Sequence, residues 1–271
     1  NNTLKSIIIT HPHIDHTLSL PDVIFKSGIK VERYIDNGRL SAGINKFPPS
    51  GLAYIDYVLG VIPKKFEKIM SFTDITKAWP LGGLINDNID PIDSAHITIL
   101  KGGDDTGNPN NNSLVIRIDY GEASFLFTGD LEVSGIEELI SRYKGTDRLD
   151  VDVYQVGHHG SYNGTTEALV NAMTPEIAVI SMGRWDYGID EQYDKDHFNT
   201  WWYGHPRKEL VDLLSKGISD NRRVPITAMV FKEPADPVKL EILKRIFATG
   251  WDGTVQIRAT KEGKFIVSTS R

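Results

Sequence analysis

Residues 6–16 read Ser6-Ile7-Ile8-Ile9-Thr10-His11-Pro12-His13-Ile14-Asp15-His16. Ile7 to Ile9 is a run of β-branched apolar residues, the composition of a short buried strand. Pro12 forbids regular continuation of that strand, so His11, His13, Asp15 and His16 fall on the loop that follows it. Neutral imidazole and carboxylate are the usual ligands of zinc and of harder divalent ions. In a locally extended loop His11 and His13 point to one side and are placed to share an ion. Asp15 and His16 emerge after a turn and suit a second ion beside it. Ions in such two-metal sites lie roughly 3.5–4 Å apart. The competing reading is a solvated, histidine-rich turn. The position of the run at a strand end speaks against it.

Two later stretches repeat the form of an apolar strand followed by metal-competent side chains. In Phe125-Leu126-Phe127-Thr128-Gly129-Asp130-Leu131-Glu132, a carboxylate follows a buried strand and a glycine, a position from which it can bridge two cations. Asp130 also precedes the helical run Val133 to Tyr143, so an N-cap role competes. In Val156-Gly157-His158-His159-Gly160-Ser161, glycines flank adjacent histidines and give one imidazole room to turn inward. The other is left for a supporting contact or for substrate.

In this order these stretches resemble the metallo-β-lactamase superfamily, and Asn111-Asn112-Ser113-Leu114-Val115 makes the ComEC-type branch the nearest likeness. That branch includes the C-terminal hydrolase domain of the bacterial competence DNA-uptake channel. The resemblance runs from residue 4 to about 270. It implies one hydrolase domain over residues 1–271, with the four-layer αββα sandwich of that family. The motif strand opens the chain, which leaves room for further N-terminal strands upstream. The resemblance also implies His11, His13, Asp15, His16, Asp130 and His158 as metal ligands, with His159 the fallback for His158. It departs at Asn110 to Asn112, where many members place a third histidine for the first ion, and at Thr17-Leu18-Ser19, where small residues are usual. Tyr203-Gly204-His205-Pro206 is similar to a Gly-His-Pro step of the same branch. His205 is thus a candidate for binding phosphate or protonating a leaving group, or else only caps a helix start.

Composition bounds the rest. Over 271 residues, 40% are hydrophobic and 24% charged, as in an ordinary globular protein. No apolar run approaches the roughly 18 residues of a membrane span. The absence of cysteine removes disulfides and thiolate ligands from this sequence. A net charge of −6 argues against a stable nucleic-acid complex. It does not exclude a hydrolase whose ions meet phosphate locally. The cytoplasm is the favoured compartment and export stays open; oligomeric state is not read from sequence.

Elsewhere the pattern predicts helices at 20–26, 64–70, 133–143, 165–173, 207–214 and 238–249. It predicts strands at 30–35, 96–100, 150–156 and 177–181, a hairpin at 113–119 and 123–128, and another at 254–259 and 265–269. Tyr54, Tyr57 and Trp79 read as surface packing, and 184–205 as an aromatic loop that walls a cleft or folds on the body.

The expected chemistry is metal-dependent hydrolysis. Two cations sharing Asp130 bring a water toward ionisation at neutral pH, and Asp15 or a distal histidine handles protons. One or two divalent ions are expected, zinc first, with manganese or iron as alternatives. The substrate expected first is a phosphodiester, in DNA or another nucleic-acid strand. The alternatives are a lactone, ester or β-lactam, or a binding module with an incomplete metal site.

Overall fold

A computed structural model describes residues 2–37 apart from positions 12, 18, 21 and 24–26, together with 68–71, 83–84, 95–102, 107–189 and 199–271. The chain, read from sequence as one domain, divides into two compact units, Asn1–Ile116 and Arg117–Arg271.

In the first unit, β1 (Thr3–Ile8), β2 (Lys30–Asp36) and β3 (Lys68–Ser71) form a parallel sheet in that order. Ile7 and Ile8 stand opposite Tyr34 and Ile35, both fully buried. Ile7 and Ile8 are partly buried and Ile9 is buried, a continuous apolar run of the kind parallel strands take. The Ile9 N–H donates to Ile35 O at 2.9 Å, so pairing continues to the residue before the histidine loop. The helix expected over 64–70 is corrected at its end, because Lys68–Ser71 is β3. The backbone groups of β2 offer this stretch a ladder, and that tertiary pairing overrides a weak helical spacing. Residues 64–67, Tyr54, Tyr57, Trp79 and most of the helix expected at 20–26 lie outside the described residues. β4 (Gly83–Leu84) pairs antiparallel with β5 (His96–Lys101), on which His96 is an exposed strand residue.

Strand β6 (Val115–Tyr120) carries the chain into the second unit and turns back as β7 (Ala123–Phe127). β8 (Val153–Gln155) and β9 (Ile177–Ile180) extend the sheet in parallel. The helices Val133–Arg142 and Glu167–Met173 supply the crossovers that parallel strands require. They pack on each other, and the second packs on Lys208–Gly217. Each buries one stripe, such as Leu210, Val211 and Leu214 in the last.

A second correction follows. The helix expected at 238–249 is β11 (Asp236–Lys244), paired antiparallel with β10 (Asn221–Glu233), and then β12 (Ile246–Ala248), which joins β9 in parallel. Leu, Lys and Glu favour helix, yet Val238, Leu240 and Ile242 alternate with Lys239 and Glu241, a period of two. The β10 partner, which the sequence reading lacked, makes that period the one that counts. Thr249 itself opens a short helix, Thr249–Asp252.

Phe125, Val153, Ile177, Val179 and Phe247 cluster on one face of this sheet. The hairpin of β13 (Val255–Ala259) and β14 (Phe265–Thr269) covers them with Val255, Ile257, Phe265 and Val267. The alternate residues Leu126, Tyr154, Ala178 and Ile180 are fully buried as well. Within the expected aromatic loop, Thr200–Tyr203 is a short helix, with the Asn199 side chain accepting from Trp202 N. Among the described residues no helix is long and apolar enough to cross a membrane.

Candidate metal centre

The first unit brings four of the expected ligands together on one short loop. His11 is fully buried at the end of the β1 run. Its Nδ1 lies 3.2 Å from Thr10 Oγ1 and 3.3 Å from Ser113 Oγ. Its Nε2 lies 3.1 Å from His13 Nδ1. The short helix Ile14–Thr17 then carries Asp15 and His16. That helix is closed locally: His16 N and Thr17 Oγ1 both donate to His13 O, at 3.1 and 2.9 Å. The His11 and His16 ring centroids are 4.3 Å apart, and His16 Nε2 is 3.8 Å from Asp15 Oδ2.

These donors fit a divalent ion. Two ligand atoms about 2.0–2.1 Å from a tetrahedral ion are about 3.3 Å from each other. The 3.1 Å between His11 Nε2 and His13 Nδ1 is close to that ligand-to-ligand spacing. The asparagines expected to stand for a third histidine form the 3-10 turn Asn110–Asn112, with Asn111 and Asn112 buried.

The second unit brings together Asp130, His158, His159 and His205. Asp130 follows β7 and is buried. The N-cap of the helix Val133–Arg142 is Glu132, so capping is not what Asp130 does. His158 N–H donates to Gly129 O at 3.0 Å, which ties the histidine loop to the aspartate turn. His158 and His159 both hold positive φ, 50° and 52°. Non-glycine residues there are strained, and such strain persists only where the surroundings enforce it. Glycine packing does so here. A Cβ on Gly157 would sit 2.5 Å from Gly164 O, and one on Gly160 would sit 2.6 Å from Pro206 Cβ. The buried Tyr154 hydroxyl accepts from Gly157 N at 3.0 Å and meets Thr165 Oγ1 at 2.8 Å. Burial raises its pKa above the ordinary phenol value, so it stays protonated.

The two adjacent histidines differ. His159 Nδ1 lies 2.8 Å from Ser181 O. A carbonyl only accepts, so Nδ1 carries the proton and Nε2 presents its lone pair. That Nε2 faces Asp130 Oδ2 at 3.7 Å. His158 instead turns Nδ1 toward Glu132 Oε1 at 3.8 Å. The geometry therefore favours His159 over His158 as the ligand, the reverse of the order read from sequence. Sequence reasoning gives Glu132 no role, although it closes the quoted stretch two residues after Asp130.

His205 lies 6.0 Å from His158 and 5.9 Å from Tyr203, ring centroid to ring centroid. Its pKa is lowered to about 3, chiefly by burial and then by its neighbours His158, His159 and Arg207, against an opposing pull from Asp130. An imidazole held neutral donates a hydrogen bond readily but does not carry a spare proton at neutral pH. Arg207 N–H donates to Gly160 O at 2.9 Å, so the His205 step and the His158–His159 loop are fastened to each other.

Comparison with known proteins agrees with this picture. The family model described as "Metallo-beta-lactamase superfamily" matches residues 1–184. The chain is 44% identical over 77 residues to "Recombination protein 2" of Haemophilus influenzae, covering 28% of this chain and 9% of that protein. It is 31% identical over 112 residues to "ComE operon protein 3" of Bacillus subtilis, covering 41% and 12%. It is 42% identical over 74 residues to "Competence protein ComA" of Neisseria gonorrhoeae, covering 27% and 10%. Each alignment thus spans about a tenth of the relative's own length.

Proposed function

Because this chain belongs to the metallo-beta-lactamase superfamily, with the mixed α/β fold of that family and competence proteins among its relatives, we propose that it is a metal-dependent phosphodiesterase. Its substrate is a nucleic-acid strand, and the chain acts as one hydrolase domain. The observation that carries the reading is the buried His11, whose Nε2 lies at ligand spacing from His13 Nδ1.

His11, His13, Asp15 and His16 are the residues that would hold metal in the first unit, and Asp130 and His159 those that would hold it in the second. When bound, the ions supply an acidified water and polarise the electrophile's oxygen. The chain's own residues do the rest. Asp15 takes the proton of the attacking water. His205, neutral and half-enclosed, donates a hydrogen bond to a phosphoryl or departing oxygen. His158 keeps its place through Gly129 O and borders His205. No serine or cysteine nucleophile is required.

A phosphodiester ranks first because two of the relatives are named for recombination and competence. With a net charge of −6 the chain is expected to turn substrate over without forming a stable nucleic-acid complex. The test is to assay bis-p-nitrophenyl phosphate, a lactone and nitrocefin side by side with added Zn²⁺ or Mn²⁺. Phosphodiester cleavage should exceed the other two. A strong lactonase without phosphodiesterase activity would reverse the order, and inactivity on all three with metal bound would leave a binding module.

A further inference from the structure

His11 has two ring nitrogens in different surroundings, and Nε2 lies 3.1 Å from His13 Nδ1. Nδ1 faces two hydroxyls, Thr10 Oγ1 at 3.2 Å and Ser113 Oγ at 3.3 Å. Thr10 is the chain neighbour of His11, so its hydroxyl is there by default. Ser113 lies far along the chain and has to be brought in.

Several hydrogen bonds bring it. Ser113 N–H donates to Asn110 O at 3.0 Å, and Asn112 N–H to Pro109 O at 3.2 Å, which close the asparagine turn. Asn108 Oδ1 accepts from Asn110 N at 2.9 Å at the start of that turn. Two buried side chains then hold its carbonyls: Lys101 Nζ, at the end of β5, donates to Asn111 O at 3.1 Å, and Asn37 Nδ2, just after β2, donates to Asn112 O at 2.9 Å. Leu114 N–H donates to Thr10 O at 2.9 Å and locks the far side of the turn onto the residue before His11. Ser113 is itself fully buried. A buried lysine and a buried asparagine spent on backbone carbonyls are costly placements. Here their common effect is to fix one hydroxyl against one imidazole nitrogen.

We propose that Ser113 is a positioning residue whose hydroxyl, with that of Thr10, accepts from His11 Nδ1–H, which holds that tautomer and presents Nε2 as the ligand atom. The asparagine turn thus acts through its backbone, as the mount for Ser113, where a third histidine ligand would have acted through its side chain. This rests on the metal reading of the loop. A hydrogen bond to the second ring nitrogen of a ligating histidine fixes the ring and raises its basicity, and its loss typically costs 10–100-fold in metal affinity.

Two readouts test it. In metal-free protein labelled with ¹⁵N at histidine, His11 should show the Nδ1–H tautomer. Ser113→Ala should shift His11 toward the Nε2–H form and weaken Zn²⁺ binding about 10–100-fold in a competition titration. Ser113→Thr, which keeps the hydroxyl, should restore both, which a mere packing role for the serine would not predict. A Ser113→Ala protein with the wild-type tautomer and wild-type Zn²⁺ affinity overturns the proposal. His11→Ala tests the underlying reading separately: undiminished Zn²⁺ binding there would remove the metal site on which the proposal rests, whatever the tautomer spectrum shows.

Discussion

The loop of His11 to His16 and the loop of His158 and His159 carry the same kind of side chain after the same kind of strand, and they are built differently. From His13 to Thr17 the first is closed by near neighbours. His13 O takes two hydrogen bonds from within the next turn, and the four metal-competent side chains come from one six-residue run. The second holds two adjacent histidines at positive φ, and beside the nearby Gly164 and Tyr154 hydroxyl it is held by partners distant in sequence, Ser181 and Pro206. A loop made of local contacts depends on its own ligands. A loop held from outside fails when any of several remote contacts is lost.

That contrast is open to attack at both ends. The largest effect is expected from His13→Ala combined with His16→Ala, which removes half of the local donor set. Stoichiometric metal should disappear by elemental analysis, and unchanged metal content would end the assignment of the first loop.

Asp130→Asn comes next. It keeps shape and removes the buried carboxylate charge proposed as a metal ligand. Wild-type protein should take up metal in two steps, the weaker one restoring activity. The variant should weaken both steps and lower the rate on the order of 10²–10³-fold, as for loss of one preorganised electrostatic group. A fully active one-metal enzyme indifferent to Asp130→Asn would remove Asp130 from the ligands.

The third prediction belongs to the second loop alone. In metal-free protein His205 has a folded pKa near 3 against about 6.5 unfolded. As pH falls through about 6.5 the unfolded chain takes up a proton that the folded one refuses, so this contribution to stability is present above that pH and is lost progressively toward 3. Denaturant midpoints should fall across that window and fall less in His205→Gln. An identical pH dependence in the variant would mean that His205 is not the group responsible.

Gly160→Ala should have the smallest effect of the set and the sharpest selectivity. Its φ is +84°, and a Cβ there meets Pro206. Destabilisation of about 1–3 kcal/mol is expected from the strained backbone, with reduced turnover because His205 is displaced along with Pro206. Metal bound by the first loop should be retained. Equal loss of both functions would erase the distinction between the two loops.

Legibility in the sequence follows the same division. The ends of β1, β7 and β8 were readable because an apolar run followed by Pro or Gly and then donors is a local pattern. The failure at 238–249 is instructive. Leu240, Glu241, Ile242 and Lys244 suit a helix by propensity, and only the pairing of β11 with β10 made their alternation decisive. Propensity differences of a few tenths of a kcal/mol per residue yield to such a partner.

The sequence by itself determined which metal-competent side chains stand at the strand ends: His11, His13, Asp15 and His16 as one set, Asp130 after its strand, and a histidine pair between glycines. Donor identity and order are properties of the chain, and no folding changes them. Tertiary structure alone decided which atoms of those side chains are presented. Ser181 O sets the tautomer of His159, Glu132 draws His158 aside, burial and neighbouring charge keep His205 neutral, and the asparagine turn lays the Ser113 hydroxyl against His11. An imidazole has two nitrogens of nearly equal basicity in water. Only a partner fixed across the fold makes them different.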